Sequence, residues 1–183
     1  MTDLEFQPWH KIYRLRREWI VTEKIDGTSS QVYVSDDFKE VRAGSRNRWI
    51  SPEDDNYGFA KWVKANEEEL RTGLGPGTHY GEWWGQGIQR TYGLKEKRFS
   101  LFNVARWTDD VRPKCCHVVP VLGKGLDVDF LVTMAIKELR ATGSVAAPGF
   151  MKPEGVVSFH TPSQYLFKTT LEKDESPKGQ ANG

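Results

Sequence analysis

The chain has 183 residues, 38% hydrophobic and 28% charged, with a net charge of +1 at pH 7. That length buries a core without disulfides or a structural metal, and the composition is that of a soluble globular chain. No run approaches the roughly 18 apolar residues of a membrane span. The first residues lack the apolar stretch of a secretory leader, and Cys115 and Cys116 are the only cysteines and adjacent. These features set aside membrane, secreted and disulfide-scaffold classes and point to the cytoplasm.

Strands are predicted at 18–23 and 30–34, flanking a turn at 24–28, with a third at 39–44. Phe59, Trp62, Val63 and Leu70 recur at helical spacing, predicting a helix over 55–70 that the glycines and proline of 73–77 end. Strands follow at 78–84, 99–107 and 117–122. The run from Cys115 to Leu122 reads as a buried strand with free thiols, because no second ligand pair stands at zinc-like spacing from Cys115, Cys116 and His117. A second helix is predicted over 127–141, capped by Asp127, with Phe130, Met134 and Ile136 as core candidates. A hairpin at 155–160 and 165–170 closes the pattern, and 173–183 is predicted to fray. Strands outnumber helices and short connections link them, so the fold class is α+β with largely antiparallel sheet, in a single domain over 1–183.

Charge alone exerts no pull toward a polyanion, but the cations cluster. His10, Lys11, Arg14, Arg16 and Arg17 form one group, Arg42, Arg46 and Arg48 a second, and Arg90, Lys95, Lys97 and Arg98 a third. Trp9, Tyr13, Trp49 and Tyr92 lie among them, which suits a phosphate-lined groove as well as an ordinary solvated face.

Neither a P-loop nor a dinucleotide fingerprint is present, and HExxH and GxSxG are missing. The turn carries Glu23-Lys24-Ile25-Asp26-Gly27-Thr28, which alone reads as a surface lysine in an Asp-Gly turn. Five further segments follow in order: Ser45-Arg46, the run 80–85 (YGEWWG), 99–103 (FSLFN), 153–157 (PEGVV) and 167–171 (FKTTL). As an ordered set from about residue 20 to 172, these resemble the covalent nucleotidyltransferase superfamily of polynucleotide ligases and capping enzymes. They are most similar to its RNA ligase family, in particular the short phage-type members.

The resemblance implies a nucleotidyltransferase (ATP-grasp-like) domain, two mainly antiparallel sheets with flanking helices, and no C-terminal accessory domain. It implies ATP as AMP donor, Mg2+ or Mn2+ as cofactor, and RNA ends as partner, with DNA as the alternative strand and no obligate protein partner. A phage-encoded ligase would act in the host cytoplasm. Lys24 matches the lysine that becomes lysyl-AMP, a role that needs a free amine to attack the α-phosphorus. Thr22, Glu23 and Ile25 would meet adenine through the backbone. Glu82 matches the carboxylate that receives the ribose hydroxyls, Phe102 the aromatic stacked on adenine (with Phe99 as the rival one register away), and Arg46 the arginine near ribose and the incoming phosphate. Glu154 matches the carboxylate that helps hold the cation, and Lys168 the lysine that grips the α-phosphate. Thr170 stands where the family commonly carries a second lysine. Arg14, Arg16, Arg17 and Arg90 are candidate contacts to the nucleic acid. The alternatives are a capping-type guanylyltransferase, a DNA-nick ligase, and a non-catalytic module that binds nucleic-acid ends.

Overall fold

Backbone pairing divides the strands between two sheets, one packed against two helices and the other against a third. The computed structural model describes residues 5–172, so the predicted fraying at 173–183 lies outside the described residues. In chain order the elements are β1 (Trp19–Lys24), β2 (Thr28–Val34), β3 (Val41–Ser45), β4 (Trp49–Ile50), α1 (Phe59–Ala65), α2 (Glu67–Leu74), β5 (Gly77–Gly85), β6 (Lys97–Leu101), β7 (His117–Val118), β8 (Val121–Gly125), α3 (Val128–Thr142), β9 (Gly155–His160) and β10 (Tyr165–Thr170). The four-stranded sheet runs β10-β9-β1-β8 and the six-stranded sheet β4-β3-β2-β5-β6-β7. Pairing is antiparallel except between β6 and β7. This is the expected α+β class with two mainly antiparallel sheets.

The larger sheet buries Val32, Val34, Ala43, Trp83, Phe99 and Leu101 against α1 and α2. The smaller buries Val21 and Val156 against Ala135 and Leu139 of α3. A third cluster, Ile25, Trp84, Tyr92, Val119 and Ala147, joins residues from both.

Four predicted elements differ. The helix over 55–70 is two helices, because Asn66 turns its backbone to φ −112° and bonds its own side chain to the Trp62 carbonyl at 2.8 Å. The second helix then runs on to Leu74, where Gly75 takes φ +71°. The strand over 99–107 stops at Leu101, since the Asn103 carbonyl accepts from the amides of Arg106 and Trp107 in a turn. The strand over 117–122 is two strands in different sheets. Val119 donates its N–H to Leu101 of the larger sheet, and Pro120, which has no N–H to give, accepts from Glu23 of the smaller. The strand predicted at 39–44 is β3 from Val41, with the short β4 beyond it.

Asp127 caps α3 as expected, its Oδ1 accepting from the Phe130 amide at 3.0 Å. Phe130 and Met134, expected in the core, are exposed, and Ala135 and Leu139 hold the buried face instead. The smaller side chains let α3 lie close to the sheet.

Phe99 is fully buried among Phe59 and Trp62, whereas Phe102 is 42% exposed. Phe99→Ala is therefore expected to lower unfolding free energy by about 3–5 kcal/mol, and Phe102→Ala by less than about 1 kcal/mol. Denaturant titration of both variants measures this, and a reversed order would place Phe102 in the packing.

Candidate active site

β1 presents its side chains alternately to two faces, and this sets the site. Trp19, Val21 and Glu23 share the face covered by α3, so Ile20, Thr22 and Lys24 share the uncovered one. Lys24 ends the strand opposite Gly155, and its Nζ lies 2.6 Å from Oε2 of Glu154. Glu154 is almost wholly buried, and Lys24 retains 19% exposure.

The turn beyond Lys24 brings in the larger sheet. Gly27 approaches β5 so closely that a Cβ there would lie 2.5 Å from the Trp83 carbonyl oxygen and 2.7 Å from Cβ of Trp84. Its amide donates to Oε1 of Glu82 at 3.1 Å. Burial pushes the Glu82 carboxyl from its ordinary 4.5 up to about 7, against the pull of Lys24 and the Gly27 amide, with Glu154 and Asp26 adding to the rise. Asp26 is held twice: its carboxylate pairs with Arg90 at 2.9 Å, and its amide donates to the Tyr92 hydroxyl at 2.7 Å. Arg90 also donates to the carbonyl of Lys152, two residues before Glu154.

Lys168 lies on the uncovered face by register, in the row Thr22, Val157, Lys168, while Lys24, Gly155 and Thr170 form the adjoining row. Phe102 follows β6, where Ser100 pairs with Glu82, and its amide donates to the Tyr80 carbonyl. The exposed Phe102 thus follows two residues after the partner of Glu82, across from Tyr80, while Phe99 faces the opposite side and is committed to the core. Arg46 is exposed in the turn after β3, one residue past Ser45, and no ion pair holds it among the described residues.

The remaining candidates are placed differently. Ile25 is buried in the cluster with Trp84 and Tyr92, and Thr22 is buried within β1, so both could offer a nucleotide mainly backbone. The Glu23 side chain is committed elsewhere: it accepts from the Ser144 hydroxyl at 2.5 Å and from the amides of Val145 and Ala146 at 2.8 Å each. Burial raises this carboxyl above its ordinary value, and those three bonds oppose the rise. Arg90 is tied to Asp26 and Lys152. Arg14, Arg16 and Arg17 lie in an exposed segment before β1, and no contact brings them to the site among the described residues. Arg90, Tyr92 and Ser144 act as supports for the turn and strand, and nothing in their sequence positions marks this, since the partners they support lie 62 or more residues away.

No group of three or more His, Cys, Asp or Glu that could hold a metal occurs among the described residues. Glu154 is a hard oxygen donor on the face of Lys24. One such carboxylate suits Mg2+ or Mn2+ when phosphate oxygens and waters complete the shell. The residues present therefore fit a cation that arrives with a nucleotide.

The sequence model of one protein family, described as RNA ligase, matches residues 17–170. Solved structures of an RNA ligase from Naegleria gruberi are similar in fold. A ligand-free mutant shares 23% identity over 87% of this chain and 52% of that one, with a TM-score of 0.60. A mutant with ATP and Mn shares 22% over 86% and 51%, with a TM-score of 0.61. Another with AMP and Mn shares 22% over 89% and 53%, with a TM-score of 0.59. The chain thus spans about half the length of these solved chains. Among curated proteins no sequence matches.

Because the Glu82 carboxyl is raised, the folded state keeps a proton between pH 4.5 and about 7 that the unfolded state gives up. Stability from this group is full below about pH 4.5 and is lost as pH rises through about 7, by on the order of 3 kcal/mol. Glu82→Gln should remove that slope from nucleotide-free unfolding curves, and parallel pH profiles for variant and wild type would contradict it.

Proposed function

Given that the chain belongs to the RNA ligase family, we propose that it joins 5′-phosphate and 3′-hydroxyl RNA ends with ATP, through a lysyl-AMP on Lys24. The observation that carries this reading is the meeting of Lys24, Glu154 and Glu82, from three separated segments, at one turn between the sheets. Lys24 Nζ attacks the α-phosphorus, a P–N bond forms, and the bond to pyrophosphate breaks. A 5′-phosphate oxygen then attacks the same phosphorus and frees Lys24, leaving AMP joined to the RNA end. Attack by the 3′-hydroxyl on the 5′-phosphorus forms the phosphodiester and releases AMP.

The Lys24 Nζ donates to Glu154. Attack requires that contact to be exchanged and a proton to leave the amine. A cation bound at Glu154 would supply charge neutralisation on the phosphates. Glu82 stands to accept from the ribose hydroxyls and Phe102 to stack on adenine. Lys168 and Arg46 supply positive charge where the phosphorane gains negative charge. Placement and charge neutralisation, rather than covalent chemistry by other side chains, are the main contribution.

Soluble protein incubated with ATP and magnesium is expected to gain the mass of one AMP, and Lys24→Ala to gain none. Full labelling of Lys24→Ala would refute the assignment of the nucleophile, and labelling from GTP but not ATP would favour the capping-type alternative. Glu154→Ala should lose labelling and also melt lower, because it strips a buried partner from Lys24. Glu154→Gln, which keeps the buried volume, should lose labelling while melting closer to the wild type, and Phe102→Leu should raise KM for ATP more than it lowers kcat.

A further inference from the structure

The uncovered face of the larger sheet continues well past the nucleotide residues, and its side chains form a row. Trp49 pairs with Gly44, Gly44 with Gln31, and Gln31 with Tyr80, so all four lie on one face across β4, β3, β2 and β5. The row is continuous with the site, because the Tyr80 carbonyl accepts from the Phe102 amide and Tyr80 lies two residues before Glu82 on the same face. Tyr80 is 60% exposed and Trp49 48% exposed. Tyr33, one step along β2, brings its ring to 6.0 Å from that of Trp49. The floor between the two aromatic ends is polar: the Gln31 side chain lies over Gly44, where a Cβ would meet its Cγ at 2.6 Å, and donates to the Ser45 carbonyl.

Neither ring belongs to a buried core cluster. Both lie on the face opposite the buried cluster, and water-exposed aromatics at ordered spacing mark a surface that receives planar partners. Three strand steps separate Trp49 from Tyr80, about 14 Å, the rise of about four stacked nucleotides. The charges at this edge are Arg46, with Arg42 paired to Glu40 and Arg48 paired to Asp54. A polar floor with separated rings and an arginine at its margin does not resemble the continuous apolar patch of a protein interface. It matches a surface on which bases stack and a backbone passes beside a cation.

We propose that Trp49, Tyr33 and Tyr80 form a stacking platform for the unpaired nucleotides next to the RNA end being joined, leading that end to Lys24. This rests on the ligase reading and adds to it the surface and strandedness of the substrate. Paired bases keep their faces within the duplex, so the platform favours single-stranded over duplex RNA. Stacking tolerates any base, so binding here carries little sequence preference.

The test measures fluorescence anisotropy of a short labelled single-stranded RNA with a 5′-phosphate, without ATP, alongside self-adenylylation of each variant. Tyr80→Ala and Trp49→Ala are expected to raise Kd by about 5- to 150-fold each, the range of base–aromatic stacking. Tyr80→Phe and Trp49→Phe keep a ring and should bind close to wild type. Adenylylation should be unchanged in all four, which also shows that they fold. The slope of log Kd against log salt should stay the same in the alanine variants, because no phosphate contact is removed. Unchanged Kd in both alanine variants with adenylylation intact overturns the platform, as does tighter binding of the same sequence as a blunt duplex. Failure of the wild type to adenylylate overturns the ligase reading instead, so the two failures are distinct.

Discussion

At Gly27 the turn after one sheet lies against a strand of the other, and no side chain fits between them. The turn after β1 runs against β5 with only a hydrogen on the Cα, since a Cβ would overlap both the Trp83 carbonyl and the Trp84 side chain. That approach directs the Gly27 amide to Glu82 and seats Ile25 beside Trp84, Tyr92 and Val119. Asp26 between them is fixed from both sides by Arg90 and Tyr92. The second crossing, at Val119 and Pro120, donates to one sheet and accepts from the other, and its partner in the smaller sheet is Glu23. Both junctions therefore bear on residues adjacent to Lys24, so any loosening between the sheets is felt at the amine.

The alternation of β1 separates structural from chemical duty at neighbouring positions. Glu23 points into the protein, where a lone carboxylate would be costly, and three donors from the segment after α3 meet it. Lys24 points the other way, to Glu154 and the open face. Because Glu23 anchors the strand through bonds at 2.5–2.8 Å, the backbone of Lys24 is fixed while its side chain stays free to exchange partners. Preorganisation of this kind places the nucleophile without spending side-chain contacts on it.

Much of the strand pattern was legible because period-two burial is written locally, as in β2, β5 and β9, and the Asp127 cap was legible for the same reason. The ordered segments around Lys24, Glu82, Glu154 and Lys168 could likewise be read in sequence, and the fold brings the first three to one turn and places Lys168 on the same face. The errors arose where the deciding partner is distant. Leu70 stands one heptad after Val63, so the hydrophobic spacing resumes in phase beyond Asn66 and only the backbone and side-chain bonds of Asn66 reveal two helices. The apolar run 117–122 looks like one strand, yet each half pairs with a different sheet. Phe130 and Met134 carry the right period for α3, but the sheet beneath admits Ala135 and Leu139. The duties of Glu23 and Arg90 depend on residues more than 60 positions away, and a spacing pattern does not contain them.

The register also bears on the departure at Thr170. It stands directly across Gly155 from Lys24, and Gly155 has no side chain to separate them, a gap that the close approach of β10 enforces. A lysine at 170 would place a second cation in the row of the nucleophile. Thr170 instead carries a hydroxyl bonded to the Glu172 carbonyl, and the nearest cation on that strand, Lys168, is one row back beside Thr22. On the proposed chemistry Lys24 loses its own charge once AMP is attached, so this row then offers the phosphate no positive side chain. Neutralisation would pass to Lys168, to Arg46 and to a cation held at Glu154. Coulombic stabilisation weakens with distance, so a chain with one lysine here depends more on the cation than a chain with two. The buried setting of Glu154, beside the amine that must give it up, is where that dependence is built in.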